Sequence, residues 1–443
     1  MKIIKKLLVC VVVFLMFSCY GMSLSLDEQK YIEKSDISPL LNGGHLEIIN
    51  GVKILYINGS NYEMGYQHGF LLKNETQEVL RAFIQRAKDK FTYEALVNLW
   101  NITQPYIPSC YIEEMQGIAD GANVSFDELG ISYMTVVKID VKCFTYAAWA
   151  DATEDGNLYH VRSLDFPVFI KDPITGRFIQ ENSVLIVREP DNGLKSLCPS
   201  IAGWINFYQG INEEQVSIGV QVCWSNDQTL KGIPTKFKVQ KILDSAEDAE
   251  DAIEILTSNK TLGWNYILSD SKKNIGYAIE TSANHSYIGT WNNSVEGKYP
   301  FWNIKNVVRR GNFFIEPTLV STQRTHYNPG GIIGFLKLLK GYNIFVLWRK
   351  YRAMSMEIEK EWGEIDFNSS ISIIRKVYSG ITDMFLFIFV HFYEGSLLCD
   401  FHQWSACPET GNFVISFADA DSYAYENQLH YFNLNELFKT NYK

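Results

Sequence analysis

The sequence lacks a basic excess, a metal-ligand spacing and internal repeats. Lysine and arginine total 40 against 50 aspartates and glutamates, which gives a formal net charge of −10. Proteins that bind nucleic acid usually carry a basic surface, so that class of partner is not expected. Neither a Cys-x-x-Cys pair nor a cysteine–histidine cluster occurs, so no metal or organic cofactor is predicted. The absence of repeats, low-complexity tracts and linkers predicts one catalytic unit.

Apolar and aromatic residues are abundant. Hydrophobic residues make up 47% of the chain and aromatic residues 14%. A chain of 443 residues with this composition can bury a large core. The aromatic share also suits an apolar pocket for a small molecule.

Residues Met1–Ser25 have the pattern of a signal peptide. Three lysines within the first six residues precede the apolar run Leu7–Phe17, which is too short to span a bilayer. No later stretch is both long and apolar enough to do so, and no transmembrane anchor is predicted. We therefore expect an exported protein that is secreted or delivered to a lumen or periplasm. Lipoprotein processing at Cys19 is the alternative.

The part of the chain before Cys143 predicts a hairpin followed by helices. Alternating apolar residues over Gly44–Ile57 flank an Asn-Gly pair, which is a strong signal for a two-residue turn. Residues Asn61–Phe91 carry apolar side chains at helical spacing. Within this stretch, Gly65 and Gly69 lie four residues apart and leave room for another backbone on one helix face.

The rest of the chain predicts strands and turns before helices return. Candidate strands run from Cys143–Ala150 to Ile275–Glu280. The main helix of this half is predicted over Thr235–Ser258, broken only by acidic surface positions around Glu247–Asp251. Further helices are predicted over Phe345–Trp362 and Ser369–Ser379. Helices, then strands, then helices indicate a layered α+β domain.

The stretch Cys143–Phe166 carries the candidate chemistry. A turn at Glu154–Asn157 separates two strand-like runs, so folding about it returns Arg162 and Asp165 towards the Cys143 end. An arginine beside a thiol lowers the pKa of that thiol and favours the thiolate. A carboxylate can hold and orient a neighbouring amine. Considered alone, these residues also fit a buried core cysteine and an ordinary ion pair between Arg162 and Asp165.

Six stretches, in order along residues 45–325, share motifs with one enzyme family. They are GSNYEMGYQHG (Gly59–Gly69), YIEEMQGIADGANVSFDEL (Tyr111–Leu129), CFTYAAWADATEDGNLYHVRSLDF (Cys143–Phe166), QGINEEQVSIGVQV (Gln209–Val222), WNYILSDSKKNIGYAIE (Trp264–Glu280), and VVRRGNFFIEP with a following QR (Val307–Pro317, Gln323–Arg324). Together they resemble the acyl-coenzyme A:6-aminopenicillanic acid acyltransferase family of N-terminal-nucleophile (Ntn) hydrolases. Choloylglycine hydrolases and acid ceramidases are more distantly similar. The resemblance implies a four-layer αββα sandwich.

The resemblance also implies that the chain cuts itself between Lys142 and Cys143. It then comprises a signal peptide (1–25), an N-terminal propeptide or small subunit (26–142) and a catalytic subunit (143–443), with the cleaved N-terminal fragment remaining bound as a partner. The freed α-amine of Cys143, with an intrinsic pKa of about 8, takes the thiol proton. The thiolate then attacks an amide carbonyl of a small N-acyl substrate and forms a thioester.

Other residues receive roles from the same resemblance. Arg162 corresponds to an arginine beside the nucleophile, and Asp165 to a carboxylate that accepts from the α-amine. Asn212 corresponds to an asparagine that holds the oxyanion, and Asn265 to a second asparagine of the pocket. Arg324 corresponds to a distal substrate-binding arginine. Considered alone, Asn212 also fits a turn, Asn265 a strand edge and Arg324 the surface.

The chain departs from the family pattern at Val161 and Ser163, which replace the usual Gly and Asn, and at Phe313, which replaces a His. None of these departures removes the nucleophile. The sequence therefore predicts an exported, autoproteolytic cysteine hydrolase acting on linear amides. Acyl transfer and phospholipase-B-like ester hydrolysis use the same nucleophile and stay open. A non-catalytic binding or surface protein with this fold is a further alternative.

Overall fold

The computed structural model describes residues 39–90, 93–135, 142–324, 336, 344–380 and 400–439. The predicted signal peptide and Cys19 lie outside the described residues. The chain divides into two compact units, residues 1–42 and 43–443. Of the first unit, the described residues form a short 3-10 turn at Pro39–Leu41. All elements below belong to the second unit, which includes residues on both sides of the predicted cut at Cys143.

Several helices of the described residues begin at a capping side chain. Ser60 accepts from the backbone of Glu63, whose side chain bonds back to Ser60, and this capping box starts the first helix. The helices are α1 (Asn61–Leu71), α2 (Lys73–Lys90), α3 (Tyr93–Thr103), α4 (Ser109–Ala122), α5 (Phe126–Met134), α6 (Thr235–Ser245), α7 (Ala249–Thr257), α8 (Pro317–Thr322), α9 (Ile344–Lys360), α10 (Phe367–Tyr378) and α11 (Leu434–Leu437). Among these residues, no helix combines the length and apolar character needed to cross a membrane.

The strands form two sheets. They are β1 (His45–Ile49), β2 (Val52–Gly59), β3 (Lys142–Ala148), β4 (Tyr159–Asp165), β5 (Ser183–Pro190), β6 (Ser196–Ile201), β7 (Gln209–Asn212), β8 (Val216–Val222), β9 (Trp264–Asp270), β10 (Ile275–Thr281), β11 (Ser286–Gly289), β12 (Val307–Arg310), β13 (Asp400–Cys407), β14 (Asn412–Phe417) and β15 (His430–Asn433). In the described part of the chain, one sheet has nine strands in the order β1-β2-β5-β6-β7-β8-β9-β10-β11. The other has six, in the order β12-β3-β4-β13-β14-β15.

The two sheets pack face to face and helices cover both outer faces. On the inner side, Arg162 of β4 donates to the backbone of Val220 in β8. On the outer side of the six-stranded sheet, Phe144 and Tyr146 pack against α9 and α10, and the Tyr146 hydroxyl donates to the Ser370 carbonyl. Helices α4 and α6 pack on the nine-stranded sheet within a second apolar cluster. The predicted αββα sandwich is confirmed.

Close helix packing in the N-terminal region depends on glycine. Helices α1 and α4 touch backbone to backbone: a Cβ built on Gly65 would lie 2.0 Å from the Glu114 carbonyl oxygen, and one on Gly117 would lie 2.2 Å from that of Tyr62. Real Cβ contacts are never this short, so any side chain there would force the helices apart. The approach predicted from the glycine spacing is confirmed.

The N-terminal region also joins the sheet of the later chain. Strand β2 pairs with β1 through the Asn50-Gly51 turn, as the sequence predicts, and on its other side pairs in parallel with β5. The helix predicted over Thr235–Ser258 forms as two helices, α6 and α7, separated at residues 246–248, beside the predicted acidic interruption at Glu247–Asp251. Asp248 accepts from the backbone of Asp251 there and caps α7, which makes two helices more favourable than one.

Candidate active site

Cys143 lies at the second position of β3, in the hairpin that the sequence predicts. Strands β3 and β4 pair antiparallel, with Cys143 opposite Leu164 and Lys142 opposite Asp165. The peptide bond between Lys142 and Cys143, where self-cleavage is predicted, therefore lies at the start of a paired strand. Lys142 and Cys143 are both buried.

The Cys143 thiol faces Arg162 between the two sheets. Nη2 of Arg162 donates to Sγ across 3.4 Å, and the same guanidinium donates to the Val220 carbonyl and to Oε1 of Gln209. Burial raises the pKa of the Cys143 thiol to about 11, against the opposing effect of Arg162. In the continuous chain the thiol is therefore protonated at neutral pH, and a base is needed to use it as a nucleophile.

Asn312 is a site residue that the sequence analysis missed. Its Oδ1 accepts from the backbone nitrogen of Cys143 across 2.5 Å, and its Nδ2 donates to the Val222 carbonyl across 2.9 Å. The nitrogen it holds is the one that would become the α-amine after cleavage. Asn312 lies within the motif Val307–Pro317, directly before Phe313, so the signal that could have identified it is its place in that motif.

Asp165 is held by two residues from the outer helices. Lys350 of α9 donates to Oδ2 across 3.1 Å, and the Tyr378 hydroxyl of α10 donates to Oδ1 across 2.6 Å. Successive residues of a strand face opposite sides, which places Asp165 on the helix-facing side while Cys143 and Arg162 face the other sheet. The alternative of an ion pair between Arg162 and Asp165 is not what the structure contains.

The environment of Asp165 includes a second buried carboxylate. Asp400 of β13 lies opposite Asp165 in the strand pairing with β4. The carboxylate of Asp400 accepts from the Ser163 hydroxyl across 2.8 Å. Burial, followed by the nearby Asp165 charge, raises the pKa of Asp400 well above its ordinary value. The protonated form of Asp400 is thereby favoured, and Lys350 forms its ion pair with Asp165.

The two predicted asparagines take different places. Nδ2 of Asn265 donates to the carbonyls of Gly311 and Phe313, across 2.9 and 2.7 Å, on either side of Asn312. Nδ2 of Asn212 instead donates to the carbonyls of Ile242 and Ala246 at the end of α6. Asn265 is thus tied to the site through a loop, whereas the amide of Asn212 closes a helix end.

An apolar recess adjoins the thiol. The part nearest Cys143 comprises about 280 Å³ and the part beyond it about 470 Å³, with the solvent-open mouth counted in both volumes. Tyr208, Val222 and Trp264 line both parts, so the two parts are adjacent. Asn212 is not among the described residues of this lining. The apolar and aromatic lining of this recess suits the acyl part of a small substrate.

A buried lysine forms part of the recess wall. Nζ of Lys236 lies 3.8 Å from the ring centroid of Trp204 and 4.7 Å from that of Tyr208, and it donates to the Asn206 carbonyl across 2.8 Å. Burial lowers the pKa of Lys236 well below its ordinary value. The uncharged amine is therefore favoured in an otherwise aromatic wall.

Arg324 lies beside the open part of the recess. Its guanidinium carbon is 5.6 Å from the ring centroid of Trp224, which lines that part, and Nε donates to the Ser225 carbonyl. Nη2 donates to Oε1 of Gln228 across 2.6 Å. Arg324 is exposed, so both its predicted substrate contact and its alternative as a surface residue agree with this position.

Comparison with known proteins finds distant relatives. No family model matches the chain. An uncharacterised protein of Archaeoglobus fulgidus is 26% identical over 290 residues, which cover 57% of this chain and 47% of that protein. Protein dcd1B of Dictyostelium discoideum is 23% identical over 262 residues, 53% of this chain and 51% of its own. Protein dcd1A of the same organism is 22% identical over 366 residues, 75% of each. The chain spans about half the length of the first two relatives.

Solved structures include three proteins of similar layout. An N-acylethanolamine-hydrolysing acid amidase ortholog of Caenorhabditis elegans is 11% identical with a TM-score of 0.37, covering 60% of this chain and 93% of its own. A variant of the conjugated bile acid hydrolase of Clostridium perfringens is 13% identical with a TM-score of 0.39, covering 66% and 93%. Penicillin V acylase of Agrobacterium tumefaciens is 12% identical with a TM-score of 0.38, covering 67% and 86%. These likenesses are too distant to assign the chain to a family, and the αββα fold follows from its own sheet order and layers.

Proposed function

We propose that this chain is an exported, self-processing cysteine Ntn hydrolase that cleaves the amide bond of a small N-acyl compound. The observation that carries the proposal is a pair of hydrogen bonds to Cys143. Its backbone nitrogen donates to Asn312, and its thiol accepts from Arg162. A cysteine that serves only as core filling has no need of a buried arginine and a side-chain acceptor at its own nitrogen.

Self-cleavage starts with addition of the Cys143 thiol to the carbonyl carbon of Lys142. The peptide C–N bond breaks, the thiol proton passes to the departing nitrogen, and that nitrogen becomes the α-amine of Cys143. The acyl group rests on Sγ as a thioester until water hydrolyses it. Asn312 already accepts from this nitrogen in the continuous chain and can keep accepting from the amine.

Substrate turnover repeats this chemistry with the new α-amine as base. The amine takes the thiol proton, and Arg162 stabilises the thiolate through a charge-assisted hydrogen bond. The thiolate attacks the amide carbonyl of the substrate, the leaving amine receives the proton, and an acyl thioester remains on Cys143. Water resolves the thioester and returns the thiol. The apolar recess receives the acyl chain, because it begins at Cys143 and is lined by aromatic side chains.

A substrate panel tests the proposal. Purified protein with Cys143 at a free N-terminus is offered N-acyl amides of increasing chain length, matched carboxylic esters, and acyl-coenzyme A with an amine acceptor. We expect turnover of the amides, and none by the C143A variant. Turnover of the esters alone, or of acyl-coenzyme A only when an acceptor amine is present, would replace amide hydrolysis by one of those activities. A processed protein that turns over no member of the panel would contradict the proposal.

A further inference from the structure

The loop Gly311–Glu316, between β12 and α8, presents Asn312 to Cys143. Two carbonyls of this loop, those of Gly311 and Phe313, accept from one side-chain amide, that of Asn265. These are the carbonyls of the residues immediately before and after Asn312. Asn265 therefore holds the orientation of the Gly311–Asn312 and Phe313–Phe314 peptide units, between which lies the rest of the residue that contacts Cys143.

Glu280 holds the remainder of the same loop. It lies opposite Asn265 on the neighbouring strand β10. Its carboxylate accepts from the backbone nitrogen of Ile315 across 2.9 Å and from that of Glu316 across 3.1 Å. It also accepts from Nε of Arg310, the last residue before the loop, across 2.8 Å. One adjacent pair of strand residues thus binds both ends and the centre of the loop.

Glu280 is itself part of a buried charged cluster. Arg310 makes two further hydrogen bonds, across 2.8 and 2.6 Å, to the carboxylate of Glu296, which also accepts from the Tyr287 hydroxyl across 2.9 Å. Glu280, Glu296 and Arg310 are all buried. Burying such groups carries a desolvation cost, and replacing a buried ion pair by apolar residues is often neutral or stabilising. Stability alone therefore does not account for this cluster.

We propose that Asn265 and Glu280 are positioning residues that set Asn312 against the Cys143 nitrogen, both for self-cleavage and for turnover. The inference rests on the proposed function. It assigns part of the efficiency of self-cleavage and turnover to residues that do not contact Cys143. The backbone nitrogen of Cys143 and Oδ1 of Asn312 lie 2.5 Å apart. Asn312 belongs to the loop whose backbone the side chains of Asn265 and Glu280 bind. A displacement of about 1 Å between reacting groups can cost about a hundredfold in rate, so loosening this loop is expected to slow the chemistry.

Isosteric variants test the inference. N265D removes the amide donor to the two carbonyls, and E280Q replaces one of the two carboxylate oxygens that accept from Arg310 and the loop by an amide group. We expect each to slow the appearance of the 143–443 fragment about tenfold to hundredfold, and to lower kcat far more than it changes KM. The N265D/N312A double variant is expected to be no slower than N312A alone, because both changes act through one contact. N427D is a control, since Asn427 donates to the Phe417 carbonyl away from this loop.

Amide hydrogen exchange separates this inference from the proposed function. Faster exchange over residues 311–316 in N265D and E280Q than in the wild type or N427D supports the inference, whether or not the protein is processed. If the wild type is processed and both variants match it in cleavage, kcat and exchange, the inference is overturned while the proposed function stands. If the wild type is neither processed nor active, the proposed function fails and the exchange comparison alone decides the positioning role. Should N265D fail to fold, E280Q carries the comparison.

Discussion

The backbone nitrogen of Cys143 donates to Oδ1 of Asn312 across 2.5 Å, although 169 positions separate the two residues in the chain. This contact is the point at which the hairpin carrying the nucleophile meets the loop after β12. Because the nitrogen belongs to the peptide bond predicted to break, the acceptor is in place before any cleavage. The Lys142–Cys143 peptide bond is therefore the first feature to test.

Replacing the nucleophile should abolish maturation. In C143A we expect a single continuous chain in which the bond after Lys142 stays intact, because the side chain no longer has an atom that can add to the carbonyl. Intact-mass analysis of purified protein measures this directly, and the wild type should show a fragment that begins at Cys143. C110A is the matched control, since Cys110 is a partly buried cysteine on α4, and it should process normally. A C143A protein that is still cut at this bond would refute self-cleavage by the thiol.

Removing the guanidinium beside the thiol should reduce turnover. A hydrogen bond to a charged group is worth about 1.5–3 kcal/mol, so R162M is expected to lose roughly 10- to 100-fold in kcat/KM. R162K keeps the charge but cannot donate at once to Cys143, Val220 and Gln209, and should fall between R162M and the wild type. The measurement is steady-state kinetics on protein that has been processed. R177M removes an arginine whose ion pairs are partly exposed and should retain wild-type rates. Equal rates for R162M and the wild type would exclude a role for this contact.

The two predicted fragments should stay together after cleavage through a buried ion pair. Glu114 of α4 lies before the cut and Arg188 of β5 after it, and their atoms meet at 2.5 and 2.9 Å with no exposure of either side chain. Removing one partner of such a pair costs about 3–5 kcal/mol. We therefore expect E114Q to lower the urea concentration at which the fragments separate. Size-exclusion chromatography at increasing urea concentration measures this separation. E214A breaks an exposed ion pair with Lys272 and should change that urea concentration little. Unchanged separation in E114Q would assign fragment association to the other contacts across the cut, such as the β2–β5 pairing and the Arg81–Asp172 ion pair.

Acid should destabilise the fold in part through His68. Its Nε2 accepts from the Gly203 backbone across 2.9 Å, and burial, followed by the charge of Arg188, lowers the pKa of His68 to about 3. Between pH 6.5 and 3 the unfolded chain binds the extra proton, so the free energy of unfolding falls by about 1.4 kcal/mol per pH unit as pH decreases. H68Q keeps an acceptor but cannot titrate, and its unfolding free energy should decline less steeply in that window. Urea unfolding at several pH values measures the slopes, with H285Q, at an exposed histidine, as the control. Parallel slopes for H68Q and the wild type would contradict this account.

Much of the local structure could be predicted because its causes are local. The Asn50-Gly51 turn places two residues at positive φ, the Ser125 cap begins α5, and Gly65 and Gly69 leave a bare helix face. The β3–β4 pairing also follows from one short turn with a strand on each side. In these cases a few neighbouring residues determine the backbone. The acidic interruption predicted at Glu247–Asp251 lies where α6 ends and α7 begins, because Asp248 caps α7.

The composition of the candidate site was harder to predict, because strand pairing over long sequence separations decides it. Strands β12 and β13, from late in the chain, lie on either side of the β3–β4 hairpin. That arrangement brings the loop containing Asn312 to the Cys143 nitrogen. It also brings α9 and α10, with Lys350 and Tyr378, to Asp165. These residues are distant from Cys143 along the chain, and nothing in the sequence indicates that they lie near the β3–β4 hairpin in the fold.

The sequence by itself determined the thiol, its arginine and the order of helices and strands, since each depends on residue type and on contacts within one hairpin. Only the tertiary structure decided which asparagine meets the nucleophile. An asparagine in a strand and one in a loop look alike in sequence, and their amides are assigned by the carbonyls within reach. Asn212 lies beside the end of α6 and caps it, Asn265 lies under the loop and holds it, and Asn312 alone of the three contacts the nitrogen of Cys143.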